Sequence, residues 1–309
     1  MLRFAVERLI WLIPTLLVMA LITFLVMHAT PGSPLDPAAP NANSLPPELQ
    51  KNLAEKYGLD KPLYVQFLTF VKNAVRLDFG LSYSYKTRTV AEIIGNTFGV
   101  SLWLGTMAFV FATVVGISLG VLAAIKQNSW IDYLCVIIAT LGVSLPNFVI
   151  AILFILLFSI TLKVLPVSGF DTPRHWILPT LTLGLGQMAV IARYTRSSVL
   201  EVIRSDYVRT ARAKGLGENM VVIRHILKNA LIPVVTLLGP IFAAIGTGSF
   251  FVEFIYSIPG MGKYFVTSMS ARDYNMIMAV ILLYGAFLGI MNLVVDLIYG
   301  WLDPRIRFD

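Results

Sequence analysis

The chain has 309 residues, 57% of them hydrophobic and 13% charged, with a formal net charge of +7 and a mean hydropathy of +0.78. A soluble domain is about 45–50% apolar and about 25% charged, so a water-soluble globule is excluded and an integral membrane protein is indicated. The positive balance lies between long apolar runs, which assigns it to cytoplasmic loops and not to nucleic-acid binding.

Arg3 and Arg8 precede an uncharged run from Leu9 to Met27. A cleavable signal has an apolar core of about 7–15 residues and a small-x-small cleavage site. This run is longer and ends in His28-Ala29-Thr30-Pro31, so it reads as an uncleaved first span with its N-terminus inside. Crossing about 30 Å of hydrocarbon takes about 20 apolar residues. Six stretches qualify: 9–29, 97–125, 132–161, 176–195, 229–254 and 275–301. The expected class is therefore an all-α membrane protein of six transmembrane helices.

Residues 30–96 form a large external segment after the first span. Within it Pro47 to Tyr57 reads as a helix stopped by Gly58. Pro62 to Leu77 reads as an amphipathic helix with Leu63, Phe67, Phe70, Val71 and Ala74 on one face. That face either caps the spans or docks an outside partner. Further on, Ser144-Leu145-Pro146-Asn147 interrupts the third stretch, because a proline frees a carbonyl and bends the helix.

The inner segment 193–228 holds eight basic residues, whereas the outer loops 162–175 and 257–274 hold two each. Short loops decide orientation, so both termini are expected inside. Within the inner segment, Ser205 or Asp206 can cap a helix beginning at Tyr207, and Gly215 can close it in the left-handed conformation. Eight residues form no stable helix alone. This one either lies on anionic headgroups or is a rigid peg that offers small alanines and cations to an acidic partner.

Polar groups inside the spans face partners or cavities. Ser144 and Asn147 at the break, with Gln187 and Asn292, are candidates to line a pathway between the spans. Glu253 either lines that pathway or pairs with Arg272 or Lys263, and Asp296 is expected to meet loop cations. One cysteine, Cys135, and three scattered histidines leave no disulfide framework and no expected metal site. No catalytic residue is expected either, since neither a Ser-His pair nor His-Glu-x-x-His occurs within the spans. Gly260-Met261-Gly262-Lys263 is followed by Tyr264, so it reads as a turn and not as a nucleotide-binding loop.

The block from Asp206 to Leu216, followed by Arg224-His225-Ile226-Leu227-Lys228-Asn229-Ala230-Leu231-Ile232-Pro233, resembles the membrane permease subunits of ATP-binding-cassette importers of the peptide and nickel branch. The resemblance runs through Ile13-Pro14-Thr15, Asp78-Phe79-Gly80-Leu81-Ser82, Pro259-Gly260-Met261-Gly262 and Asp303-Pro304-Arg305-Ile306-Arg307, and so covers the whole chain. Its nearest form is that of the oligopeptide systems.

The resemblance implies a type I, MetI-like permease fold in a bacterial inner membrane. It divides the chain into a first helix with external segment (1–95), a permease core (96–302) and a cytoplasmic tail (303–309). Tyr207, Arg209, Thr210, Ala211, Arg212, Ala213, Lys214 and Gly215 would form a coupling helix seated on an ATPase subunit. Arg209 stands where the general importer loop carries glutamate. The implied partners are a second homologous permease, two ATPase subunits that use ATP and Mg, an external substrate-binding protein, a peptide substrate and the lipid bilayer. The same pattern serves dipeptides, cell-wall peptides and nickel chelates. An ion-coupled carrier is the alternative from another class.

Overall fold

The computed structural model describes residues 2–30, 48, 51–52, 55, 58, 61–85 and 87–302. The helix expected at 47–57 lies largely outside the described residues, and the tail 303–309 wholly so. The described part is mostly helical, as the apolar runs require, with an isolated bridge between Leu81 and Thr89.

Helix α1 (Leu2–Ala29) is the first span. The amphipathic α2 (Leu63–Ala74) follows, and its Phe67 and Phe70 pack on Ala20, Phe24 and Met278, so its apolar face caps spans of its own chain. Helix α3 (Val90–Ile125) starts where the Thr89 hydroxyl accepts from the Glu92 amide. Helices α4 (Trp130–Ser144) and α5 (Asn147–Phe154) come next, with α5 continuing in a wider π-type turn over Ile155–Thr161. Between these arms the axis turns by 109° at the residues around Pro146. The break stands where the sequence placed it, and it is a reversal of direction well beyond a kink.

Helix α6 (Pro173–Ile203) is long, and the short α7 (Asp206–Ala213) follows it. Then come α8 (Glu218–Ala230) and α9 (Ile232–Gly246), with a 54° bend between them. Pro233 in the first turn of α9 has no amide hydrogen to lose there. Two short helices, α10 (Phe250–Ile255) and α11 (Gly262–Ser270), lead to the final span α12 (Tyr274–Leu302).

Among the described residues four helices are long and apolar enough to cross a membrane, and up to six spans result if each bent pair counts as one. Several boundaries differ from the apolar runs: α3 starts at Val90 and not at 97, within the expected external segment 30–96, and α8 starts at Glu218 and not at 229. The fourth span was expected to end at 195, yet α6 runs on to Ile203 because the Arg196 charge is neutralised by Asp132 within the protein. The fifth stretch was expected to reach 254, yet α9 stops at Gly246, and Gly248 turns the chain at φ +105.

The bundle is centred on α3 and α6. A side chain at Gly116 would lie 2.8 Å from the Met188 carbonyl oxygen, and one at Gly120 would lie 2.5 Å from that of Ala192. Glycine at these two sites lets the backbones touch, as small residues do between membrane helices. Leu104, Ala108, Leu178, Met188, Ile191 and Val234 fill the space around this contact.

Candidate functional site

The inner segment folds into a platform beneath α3 and α6. In α7, Val208 and Ala211 turn inward and pack with Ala124 of α3, Val199 of α6, and Val221, Ile226 and Ala230 of α8. Fully burying Val208 contributes about 1.5–3 kcal/mol, which supplies what an isolated two-turn helix lacks. The small size of Ala211 therefore serves packing inside this chain, and the surface it was expected to offer a partner is carried by Ala213 instead.

Both ends of α7 are defined by backbone geometry. Ser205 occupies the N-cap position, but its hydroxyl donates back to the Val202 carbonyl at 2.6 Å and caps nothing. The helix begins at Asp206, whose carboxylate suits the positive end of the helix dipole. At the other end Gly215 takes φ +77 and donates to the Arg212 carbonyl at 2.9 Å. This is the left-handed closure expected from the sequence.

Polar contacts hold the platform together from outside. The Arg212 guanidinium grips Glu218 with both arms, at 2.6 and 3.1 Å, and so fastens α7 to α8 across the glycine turn. That hydrogen-bonded pair holds the Glu218 carboxyl below its ordinary value. Asn229 of α8 donates to the Tyr207 hydroxyl at 3.0 Å, and Ser198 of α6 donates to the Ala230 carbonyl at 2.7 Å. Tyr207, Arg209, Thr210, Arg212, Ala213, Lys214 and Gly215 remain on the outer surface. The Arg209–Asp206 pair at 3.7 Å is fully in solvent and contributes little.

Sequence reasoning missed the pair that ties α6 to α4 within the bundle. Arg196 of α6 donates through Nε and Nη2 to the two carboxylate oxygens of Asp132 of α4, each at 2.7 Å. Asp132 also accepts from the Asn128 amide at 3.0 Å and is 3% exposed. The Ser129-x-x-Asp132 spacing announces a helix start, but nothing local connects it to an arginine 64 residues away.

The five candidate pathway residues do not form one cluster. The α4–α5 break lies against α6, where the Asn147 side-chain oxygen and the Gly142 carbonyl approach Gly186, next to Gln187. Ser144 is exposed at the same break, while Asn292 is exposed on α12. Glu253 requires a correction. It is 1% exposed and pairs with neither Arg272 nor Lys263. Its carboxylate accepts from the Ser101 hydroxyl at 2.7 Å, the Gly262 amide at 2.6 Å and the Ser249 amide at 3.3 Å. Donors without formal charge satisfy it because the glycines at 248, 260 and 262 let the backbone close around it. Asp296 meets a cation, but one carried by a helix and not by a loop, Arg8 of α1 at 3.0 Å.

Comparisons with known proteins cover the full length. The family described as binding-protein-dependent transport system inner membrane component matches residues 116–308, and its N-terminal companion matches residues 1–105. The chain is 44% identical to the dipeptide transport system permease DppB of Bacillus subtilis, covering 99% of this chain and 98% of that protein. It is 41% identical to the oligopeptide permease OppB of Salmonella typhimurium, with all of both chains covered. It is 43% identical to the glutathione permease GsiC of Escherichia coli K12, again over 100% of both. Among solved structures, the inward-facing methionine importer MetNI superposes with a TM-score of 0.55 at 17% identity, over 68% of this chain and 96% of that one. That match supports the shared fold.

Proposed function

The chain belongs to the inner-membrane permeases of binding-protein-dependent ABC importers, and from this membership we propose that it forms half of a peptide-conducting pore whose α7 docks on an ATPase subunit. Membership in this family sets aside the ion-coupled carrier. Relatives named for dipeptides, oligopeptides and glutathione lie at similar identity, which supports short peptides as the cargo class, with oligopeptides our reading.

The observation that carries the coupling role is the two-sided construction of α7. Its inner face is locked to the ends of α3, α6 and α8, while its outer face carries Tyr207, Arg209, Thr210 and Lys214. A rigid, cationic projection suits a groove on an acidic partner. A force on it reaches three helices at once. ATP and Mg belong to two ATPase subunits, a second homologous permease supplies the other half of the pore, and an external binding protein delivers the peptide. Both termini lie in the cytoplasm, residues 1–95 serve the external side, and residues 96–302 form the core that moves between inward and outward access.

The test is a cross-link. In a Cys135→Ala background, Thr210→Cys on the exposed face should form a disulfide with a cysteine placed in the ATPase groove, and ATP should change its yield. A cross-link to no ATPase position, with uptake intact, sinks the docking assignment. Cargo is read separately, from uptake of labelled di- to hexapeptides by the reconstituted complex.

A further inference from the structure

Between α7 and the span α9 the chain passes through a section of α8 that departs from α-helix. Residues Val221–Leu227 wind in wider π-type turns, and only Lys228–Ala230 returns to α-helix before the 54° bend into α9. A π-helix bonds each carbonyl to the amide five residues ahead, an α-helix to the one four ahead. Where the first gives way to the second, carbonyls outnumber amides by one, and a side chain can supply the missing donor. Asn229 supplies one here: its Nδ2 donates to the His225 carbonyl at 3.2 Å. A carbonyl only accepts, so this contact also fixes which way the amide group faces. The same Nδ2 then meets the Tyr207 hydroxyl of α7 at 3.0 Å.

Resting on the docking of α7 argued above, we propose that Asn229 is the positioning residue that turns a movement of α7 into a reorientation of α9, with the π-type section of α8 as the part that yields. Three observations support this route. First, Asn229 stands two residues before the break at Leu231. Pro233 has no amide to offer the Asn229 carbonyl four residues back, so the helical ladder is interrupted at the bend and other contacts must set its angle.

Second, those contacts come from two different helices at adjacent residues. Ser198 of α6 donates to the Ala230 carbonyl at 2.7 Å, while Asn229 reaches Tyr207 of α7. The α6 contact is a pivot on the bundle, and the α7 contact is the arm that an ATPase subunit moves.

Third, α7 is fastened to α8 at both ends of the π-type section. Arg212 holds Glu218 ahead of it, and Tyr207 meets Asn229 beyond it. Wide turns of this kind bond poorly and recur at functional sites. Here they lie between two clasps, where a shift of α7 must be taken up.

The test uses the whole complex, the permease with its partner subunits in vesicles, and reads the ATP hydrolysed per labelled peptide imported. Tyr207→Phe removes only an exposed hydroxyl, and the ratio should rise about fivefold, the factor that one net hydrogen bond carries. Asn229→Leu keeps the size of the side chain and removes both bonds, so the ratio should rise by at least that factor. The double variant should be no worse than Asn229→Leu alone, since both changes remove one contact. Asn229→Gln keeps an amide and should restore part of the coupling. The Thr210→Cys cross-link to the ATPase subunit should form in every variant. With that cross-link intact, a wild-type ratio in Asn229→Leu overturns the route and leaves docking standing. A rise in Asn229→Leu with none in Tyr207→Phe, or additive effects in the double variant, overturns it too, because Asn229 would then serve α8 alone. If the cross-link fails even in the otherwise unchanged chain, docking falls and the route with it.

Discussion

The two ends of the bundle treat charge in opposite ways. At the α7 end, Arg209 and Lys214 point outward, and the ties inside the platform are a small apolar core and a solvent-facing Arg212–Glu218 clasp. At the other end two carboxylates, Glu253 and Asp273, point inward. Glu253 gathers α3, the turn after α9 and the start of α11. Asp273 is fully buried and accepts from the Ser82 hydroxyl and from the Ser84 and Met276 amides, the latter two at 3.2 Å each. A buried carboxylate ringed by donors fixes loops in one arrangement, whereas an exposed cation is held ready for another molecule. One end is organised for internal order and the other for contact.

This contrast can be broken experimentally. Glu253→Leu carries the largest expected effect: it leaves the Ser249 and Gly262 amides without an acceptor, at about 1–3 kcal/mol each, and the Ser101 O–H without its own, although the Ser101 oxygen still accepts from the Met261 amide at 2.7 Å. The variant should lose most of its thermal stability in detergent, with Ser101→Ala losing a part. Melting unchanged in both would mean the buried carboxylate organises nothing. Asp132→Ala should cost about 3 kcal/mol, the low end for a broken buried pair, since Arg196 keeps 28% side-chain exposure. Its readout is the melting temperature, with Asp132→Glu restoring part of it.

Gly215→Val tests the outward end. Its left-handed backbone strains any branched side chain by about 1–2 kcal/mol, but nothing lies within 4 Å of the added carbon. The protein should insert and purify while uptake is lost; normal uptake would detach the turn from coupling. The smallest effect concerns Glu218. Its carboxyl is held below 4.5 by Arg212, so the clasp is complete above that value and fades as pH falls through the lowered one. Protection from hydrogen exchange at residues 212–218, taken relative to the intrinsic rate at each pH, should fall only under such acid conditions. Low protection already near neutral pH would show that the pair does not hold the turn.

Much of this was legible because it is local. Pro146 announces the break, Gly215 the end of α7, and the apolar runs locate the spans. What was hidden depends on distant partners. The Asp132–Arg196 pair and the Ser82–Asp273 contact join residues 64 and 191 apart, and no periodicity announces either. The inward turn of Ala211 was equally invisible, because two turns of helix do not reveal which side meets α8. Glu253 misled for a related reason. A lone carboxylate among apolar residues suggests a cation, while the glycines that replace one with backbone amides act only once the chain has turned on itself.

The close fit of α3 on α6 has a mechanical consequence. Backbones that touch at Gly116 and Gly120 cannot slide past each other without collision, so the two helices move as one beam. Along α3, Ala124 rests on the platform at one end and Ser101 binds Glu253 at the other, about 35 Å apart at 1.5 Å per residue. A rotation of about 5° at the foot of such a beam displaces its head by about 3 Å. That is as long as the hydrogen bond it must carry or break.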